Sequence, residues 1–530
     1  MSSRLNALRN LVIMLACCLG LSHATLSWGS IKSASVSTYP SPSTDSALED
    51  PPPEADSSSS IWVRIREGFQ FDLSYSNPRI DKEREWYLSN PDFLETVFSR
   101  ADPFLYYMVD EAERRHMPTE LVLLPVVESA FDPFAYSHGR ASGIWQFIPG
   151  TGKRFGLKQN WWYDGRRDVV ASTGAAMTYM RSLNKMFKGN WLHALASYNA
   201  GEGNVLRAIR ANEGAGRSTR FWSLDLPKET EVYVPRLIAL AQIVASPERY
   251  GVTLNDIPNQ PRIATVNLDG QLDLSQAARL AEIPVDDIYH LNAGFNRWAT
   301  DPDGPHRLVL PIETVNTFKS NYRKLPTKER IQWVHHTVRP GDNLLALASR
   351  YRTTPEVIRK ANQMASNTIR VGSGLMIPTA TRDFSAYTQS ADNRLAEKQN
   401  TKPKTASLKR TYRVASGDTL WGISRKFNVT TRQLASWNGM APGDPLKPGN
   451  TLVVWQKGGS AVPSNTSRGV IRKVGYQIRS GDSLSSIASR FNVSVNDLVK
   501  WNPVNRGSVL KPGQHIRIYV DVTAGKETGT

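Results

Sequence analysis

Apolar positions recur every three or four residues through much of the span from Ile61 to Gly251, the period of helices with one buried face. The pattern predicts helices over Pro103–His116, Thr119–Ser129, Asp168–Met186, Trp191–Tyr198, Asn204–Asn212 and Lys228–Ala245, separated by glycine-rich turns. In Thr119–Ser129, residues Leu121, Val122, Leu123, Leu124, Val126 and Val127 are apolar nearly all round. That marks a buried central helix, with Thr119 as its cap. Beyond this region the period shortens: brief alternating stretches frame short helical ones.

The alternation repeats in register. HTVRPGDNLLALASRYRTTPEVIRKAN starts at His336, YRVASGDTLWGISRKFNVTTRQLASWN at Tyr412 and YQIRSGDSLSSIASRFNVSVNDLVKWN at Tyr476. Each holds a Gly-Asp pair (Gly341-Asp342, Gly417-Asp418, Gly481-Asp482), with an Asn (Asn362, Asn438, Asn502) numbered 21 above the Gly. A later glycine, Gly374, Gly449 or Gly513, follows at a nearly fixed offset. Such a repeat marks small modules strung in series. In the second, Tyr412-Arg413-Val414 reads as a strand, and Asp418 or Thr419 as the cap of a helix carrying Leu420, Ile423 and Phe427. Thr430 or Thr431 then caps a helix with Leu434, and Leu452-Val453-Val454 closes the unit. The order is strand-helix-helix-strand.

A fourth, degenerate copy is expected over 256–325. Counting back 21 positions from Asn292 puts Gln271 in the glycine slot, and Leu274, Ala277, Ile283 and Ile288 then fall at the apolar offsets of the repeats. Arg262–Val266 and Arg307–Pro311 supply the flanking strands. Its turn glycine is gone while its core register persists, so it is expected to fold, pack on the helical region as a support and bind no glycan.

Composition adds an address and a charge. Arg4 and Arg9 precede an apolar run from Leu11 to Leu21, too short to span a bilayer and suited to an export signal. Ser22-His23-Ala24 fits cleavage to a soluble product, whereas Ala16-Cys17 and Cys17-Cys18 offer weak lipobox sites that would leave a lipid anchor; both readings stand. Cys17 and Cys18 are the two cysteines of the chain, so no internal disulfide is expected in the mature protein. The expected layout is a signal peptide at 1–24, a tether at 25–60, a catalytic domain at 61–255, the degenerate unit, and repeats at 333–380, 411–456 and 475–521. Linkers fill 381–410 and 457–474. Lys and Arg outnumber Asp and Glu by 65 to 48, a net charge of +17 that suits an acidic polymer, and no nucleic-acid motif accompanies it. Neither a metal-ligand cluster nor a phosphate-cradling glycine loop appears, so no metal or cofactor is expected.

Glu128 ends the run LVLLPVVE. Partial desolvation there favours the protonated carboxyl and raises its pKa, as a general acid near neutral pH requires. It begins a series: Glu128-Ser129, Gly143-Ile144-Trp145-Gln146-Phe147, Ser197-Tyr198-Asn199-Ala200-Gly201 and Glu229-Thr230-Glu231-Val232-Tyr233-Val234-Pro235. In order and spacing this series resembles the soluble-lytic-transglycosylase catalytic domain, and the repeats resemble LysM modules. The resemblance implies a goose-lysozyme-like helical domain followed by small α+β modules, exported to the periplasm of a Gram-negative-type envelope. It implies cleavage of peptidoglycan between N-acetylmuramic acid and N-acetylglucosamine, with Glu128 as the single acid/base and a 1,6-anhydro ring as product. By the same resemblance Gln146, Tyr198, Asn199, Tyr233 and Ser137 line the substrate site. The module residues Gly341, Asp342, Asn362, Gly417, Asp418, Thr419, Asn438, Gly481, Asp482 and Asn502 lie along the grooves that hold N-acetylglucosamine-containing strands. The alternatives are a hydrolytic muramidase, with Asp132 or Glu202 as second carboxylate, and a non-catalytic peptidoglycan-binding scaffold.

Overall fold

The computed structural model of the chain describes residues 60–456 apart from 405 and 407, and residues 471–521 apart from 479–481, 491–494, 503, 506–509 and 511–512. The export signal, Cys17, Cys18, the tether, Gly481 and most of the second linker lie outside the described residues. The chain forms two compact units, one ending at Gln456 and one containing the third repeat.

In the first unit, helices Ile61–Glu67, Pro78–Leu88, Pro91–Arg114, Leu124–Ser129, Pro149–Arg154, Val169–Met186, Trp191–Ala200, Glu202–Gly214 and Lys228–Ala245 enclose one hydrophobic core. The LVLLPVVE run lies at its centre, with Leu121, Val122 and Leu124 fully buried against the equally buried Leu237, Leu240 and Val244. The run is not one α-helix with a threonine cap, as the sequence suggested. Thr119–Leu123 is a 3-10 turn and Leu124–Ser129 the α-helix. Pro125 has no N–H to donate into a preceding α turn, so the α ladder starts there. The Thr119 hydroxyl instead donates to the Ile65 carbonyl. Pro103 does not open a helix either; it sits inside Pro91–Arg114.

Strands β1 (Ile263–Asn267) and β2 (Arg307–Pro311) pair antiparallel around helices Leu274–Ala281 and Val285–Leu291. Leu274, Ala277 and Ile288 are fully buried and Ile283 packs against the same core. This unit is fastened to the catalytic region by charge. Arg307 on β2 pairs with Asp168 at 2.8 Å, Tyr163 donates to the same carboxylate at 2.6 Å, and Lys158 meets the buried Asp301 at 2.8 Å. Asp168 also caps helix Val169–Met186 through Ala171 N.

The remaining modules repeat this plan: β3 (Gln332–Thr337) with β4 (Gly374–Thr379), β5 (Leu408–Arg413) with β6 (Thr451–Gln456), and, in the second unit, β7 (Ile471–Gln477) with β8 (His515–Asp521). Each core is small; that of the second module is built around Leu420, Ile423, Leu434, Leu452 and Val454. Thr419, not Asp418, caps its first helix, and Thr430 forms a capping box with Gln433 on the second. The segment 381–410, expected as a plain linker, is partly folded. It carries helix Ala391–Asn400, and Tyr387 is buried against the degenerate unit, where its hydroxyl donates to Asp273 at 2.7 Å.

Candidate active site

Helix Leu124–Ser129 delivers Glu128 and then stops abruptly. Ala130 and Phe131 both take left-handed backbone conformations, with φ of 51° and 54°. Non-glycine residues there cost of order 1–3 kcal/mol each, a strain held by packing; Phe131 is 1% exposed. The helix end is tied down by Ser129, whose hydroxyl reaches the carbonyls of Pro125 and Ile144.

Gly143–Phe147 forms the next wall. A side chain at Gly143 would drive its Cβ to 1.9 Å from the Arg166 carbonyl oxygen, and the φ of +81° is itself glycine-like. Trp145 is fully buried and its indole N–H donates to Thr173 on helix Val169–Met186 at 2.9 Å. Gln146, half-buried with φ 47°, turns its amide N–H back to the Gly143 carbonyl.

Helix Trp191–Ala200 brings Tyr198, whose hydroxyl donates to the Trp145 carbonyl at 2.8 Å. Helix Lys228–Ala245 brings Tyr233, whose hydroxyl donates to Glu128 Oε1 at 2.6 Å. Asn199 accepts from the Thr230 hydroxyl at 2.6 Å, so the end of one helix is laced to the start of the other. Tyr233 thus contacts Glu128 directly, while Tyr198 is tied to the strip that carries Gln146 and Asn199 to the helix that carries Tyr233. Ser137 is not held among them by any such bond. It sits in the turn Tyr136–Ser142, where its hydroxyl accepts from Ala141 N.

The electrostatics follow from this packing. Burial pushes the Glu128 carboxyl up to about 8; the Tyr233 hydrogen bond opposes that, and Glu229 adds to it. Glu128 is therefore mostly protonated at pH 7, while the residue as a whole is only half-buried. Burial and the Glu128 charge also raise Tyr198 and Tyr233, so both phenols stay neutral. Glu229 is raised by burial and bonded by Asn199. The last sequence motif holds both Glu229 and Glu231, and nothing in the local pattern says that Glu229 is the one beside Asn199. Asp132 and Glu202 are engaged elsewhere: Asp132 accepts from Phe134 N, and Glu202 meets Arg154 at 3.3 Å and accepts from Tyr179.

The module asparagines are engaged within the fold. Asn438 Nδ2 donates to the Leu434 and Val453 carbonyls, both at 2.8 Å, and its Oδ1 accepts from Val453 N at 2.7 Å. Asn362 makes the same three bonds with Ile358 and Met376, and Asn502 with Leu498 and Arg517. Asn292 repeats them with Ile288 and Val309 in the unit that lacks the Gly-Asp turn. Each side chain clamps its second helix to the closing strand as a backbone pair would, so Asn362, Asn438 and Asn502 hold the module fold together. The aspartates are internal too. Asp418 accepts from Tyr412 OH and Ala415 N, Asp342 contacts His336 Nε2 and accepts from Arg339 N, and Asp482 accepts from Tyr476 OH. Gly341 and Gly417, both with φ 87°, build the turns.

Residues 106–221 match the transglycosylase SLT domain, and residues 336–378, 412–455 and 476–518 match LysM domains. Helices carrying a buried acid beside such modules define a multimodular lytic transglycosylase. Residues 262–327 match the lytic transglycosylase MltD, LysM-like domain. The chain is 35% identical over 460 residues to the membrane-bound lytic murein transglycosylase D of Escherichia coli K12, covering 87% of this chain and 85% of that one, and it belongs to that family. It is also 40% identical over 183 residues to a putative tributyltin chloride resistance protein of an Alteromonas species, covering 34% of this chain and 86% of that one. An autolysin of Enterococcus faecalis is 30% identical over 195 residues, 36% of this chain and 25% of the relative.

Proposed function

We propose that this peptidoglycan lytic transglycosylase cleaves the bond between N-acetylmuramic acid and N-acetylglucosamine with Glu128 as its single acid/base. The observation that carries the reading is a buried carboxyl, raised to about 8, hydrogen-bonded by Tyr233 and close enough to Tyr198 for its charge to act on that phenol. Protonated Glu128 gives its proton to the glycosidic oxygen as the bond to the muramyl C1 breaks. The muramyl C6 hydroxyl closes onto C1 and returns its proton to Glu128, so the acid is regenerated and no water enters. Tyr233 donates to the carboxylate during the interval when it is ionised, which a charge in a low-dielectric site requires. Gln146 and Asn199 are suited to the sugar N-acetyl and hydroxyl groups, and Tyr198 to holding the wall that carries Gln146. A second carboxylate is not needed because the nucleophile belongs to the substrate. A zymogram on purified sacculi, wild type beside Glu128→Gln, tests the assignment: the near-isosteric variant should fold and clear nothing.

The modules supply binding to the same polymer through turns such as Gly417-Asp418-Thr419, with backbone groups as ligands because the Asp and Asn side chains are engaged. The cell envelope is the proposed site of action. No helix among the described residues is long and apolar enough to cross a membrane. Attachment through Cys17 or Cys18, or release after Ala24, is decided by the mass of the mature N-terminal peptide.

A further inference from the structure

One contact in the first unit joins a binding module to the catalytic region. Asp444, in the loop after the second helix of the second module, has a side chain only 13% exposed. Tyr136 donates to its two carboxylate oxygens at 3.2 and 3.0 Å, and Arg140 Nε lies 2.8 Å from Oδ1. Asp444 is also the carboxylate accepting from Ala441 N, which fixes its own loop. Six positions after the clamping Asn, the first and third repeats carry Thr368 and Ser508, so the carboxylate belongs to the second repeat alone.

The segment it grips leads to the active site. Tyr136 bridges to Ser142, and Ser142 bridges to Phe147, the neighbour of Gln146. Arg166 donates to the Arg140 carbonyl at 2.7 Å and to that of Phe147 at 3.1 Å, binding both sides of the turn. The folded linker holds the same segment from its other end: the Arg394 guanidinium lies 4.2 Å from the centre of the Phe134 ring. The linker helix in turn grips the second module, with Gln399 donating to Asn438 Oδ1 at 2.9 Å. The polypeptide between Glu128 and Gln146 is therefore held by parts of the chain that lie more than 240 residues away.

We propose that the second LysM module is a docking module for the catalytic domain, and that Asp444 is a positioning residue for the reaction, acting through Tyr136 and Arg140 on the wall that carries Gln146. The other modules lack the carboxylate and hold glycan without this duty. A loosened wall displaces Gln146 relative to Glu128, and small misplacements of a positioning group cost large factors in turnover. The inference rests on the Glu128 reading of the site.

The test uses the full-length chain and a soluble four-sugar peptidoglycan glycan, too short to be tethered by the modules. Asp444→Ala and Arg140→Ala should each lower kcat, on the order of tenfold, and the double variant should fall no further than either single change, as expected of groups that act as one contact. Thermal melting should stay close to wild type, and binding of Glu128→Gln/Asp444→Ala to sacculi should equal that of Glu128→Gln. Unchanged kcat in the single variants, or additive losses in the double, overturns the proposal. Glu128→Gln assayed alongside separates the two claims. Activity surviving there refutes the site, whereas its loss together with an unaffected Asp444→Ala refutes the docking alone.

Discussion

Glu128 and Tyr233 set the pH behaviour of the site. The Glu128 carboxyl lies near 8 in the folded chain and near about 4.3 when unfolded. Its contribution to stability is therefore fully present below the unfolded pKa and is lost as pH rises through about 8. Glu128→Gln removes that loss, so its melting temperature relative to wild type should climb between pH 5 and pH 8.5; a constant difference would contradict the burial argument. Tyr233→Phe deletes the bond that favours the ionised form. The alkaline limb of the kcat profile should move to higher pH, and a move to lower pH would show that Tyr233 acts otherwise. Glu128 was legible in the sequence because a carboxyl closing an apolar run is unusual and has a direct electrostatic consequence. Glu229 and Asp444 were not, since their effect depends on which distant segments the fold brings beside them.

The four asparagine clamps explain how modules with such small cores hold a second helix against a strand. Asn438→Ala would leave the Leu434 and Val453 carbonyls and the Val453 N–H without their partner. An unsatisfied buried backbone group costs about 1–3 kcal/mol, a large share of the stability of a module this size. Hydrogen exchange in β6 of Asn438→Ala should accelerate far more than in the catalytic helices, and an unchanged β6 would return the asparagine to a ligand role. The fixed offset of these residues was plain in the sequence, but an offset cannot separate a conserved fold contact from a ligand contact. The degenerate unit supplies the distinction, since Asn292 keeps its clamp where the Gly-Asp turn is missing. Helix boundaries were less legible for local reasons, such as a missing N–H at Pro125 and a kink-tolerant Pro103 inside a long helix.

Within the first unit, charged seams join the β1–β2 unit and the second module to the catalytic region. Arg307→Ala would leave Asp168 buried without its cation, a change that costs about 3–5 kcal/mol when one partner of a buried pair is removed. Calorimetry should then resolve melting of the β1–β2 unit from that of the catalytic helices, whereas one unshifted transition would mean that the seam carries little. Binding to sacculi should fall stepwise as the LysM modules are lost, because tethered weak sites gain avidity on the order of 10²–10⁴ when geometry allows. Modular order was readable from periodicity and repeats, but the seams were not, because Asp168 with Arg307 and Arg140 with Asp444 are far apart in the chain. The central claim is that Glu128 works alone and that the attacking hydroxyl belongs to the substrate. Digestion of sacculi in oxygen-18 water tests it most directly: the muramyl products should be one water lighter than hydrolysis products and carry no solvent oxygen, and Glu128→Gln should release none. Labelled muramyl ends would instead show that water is the nucleophile.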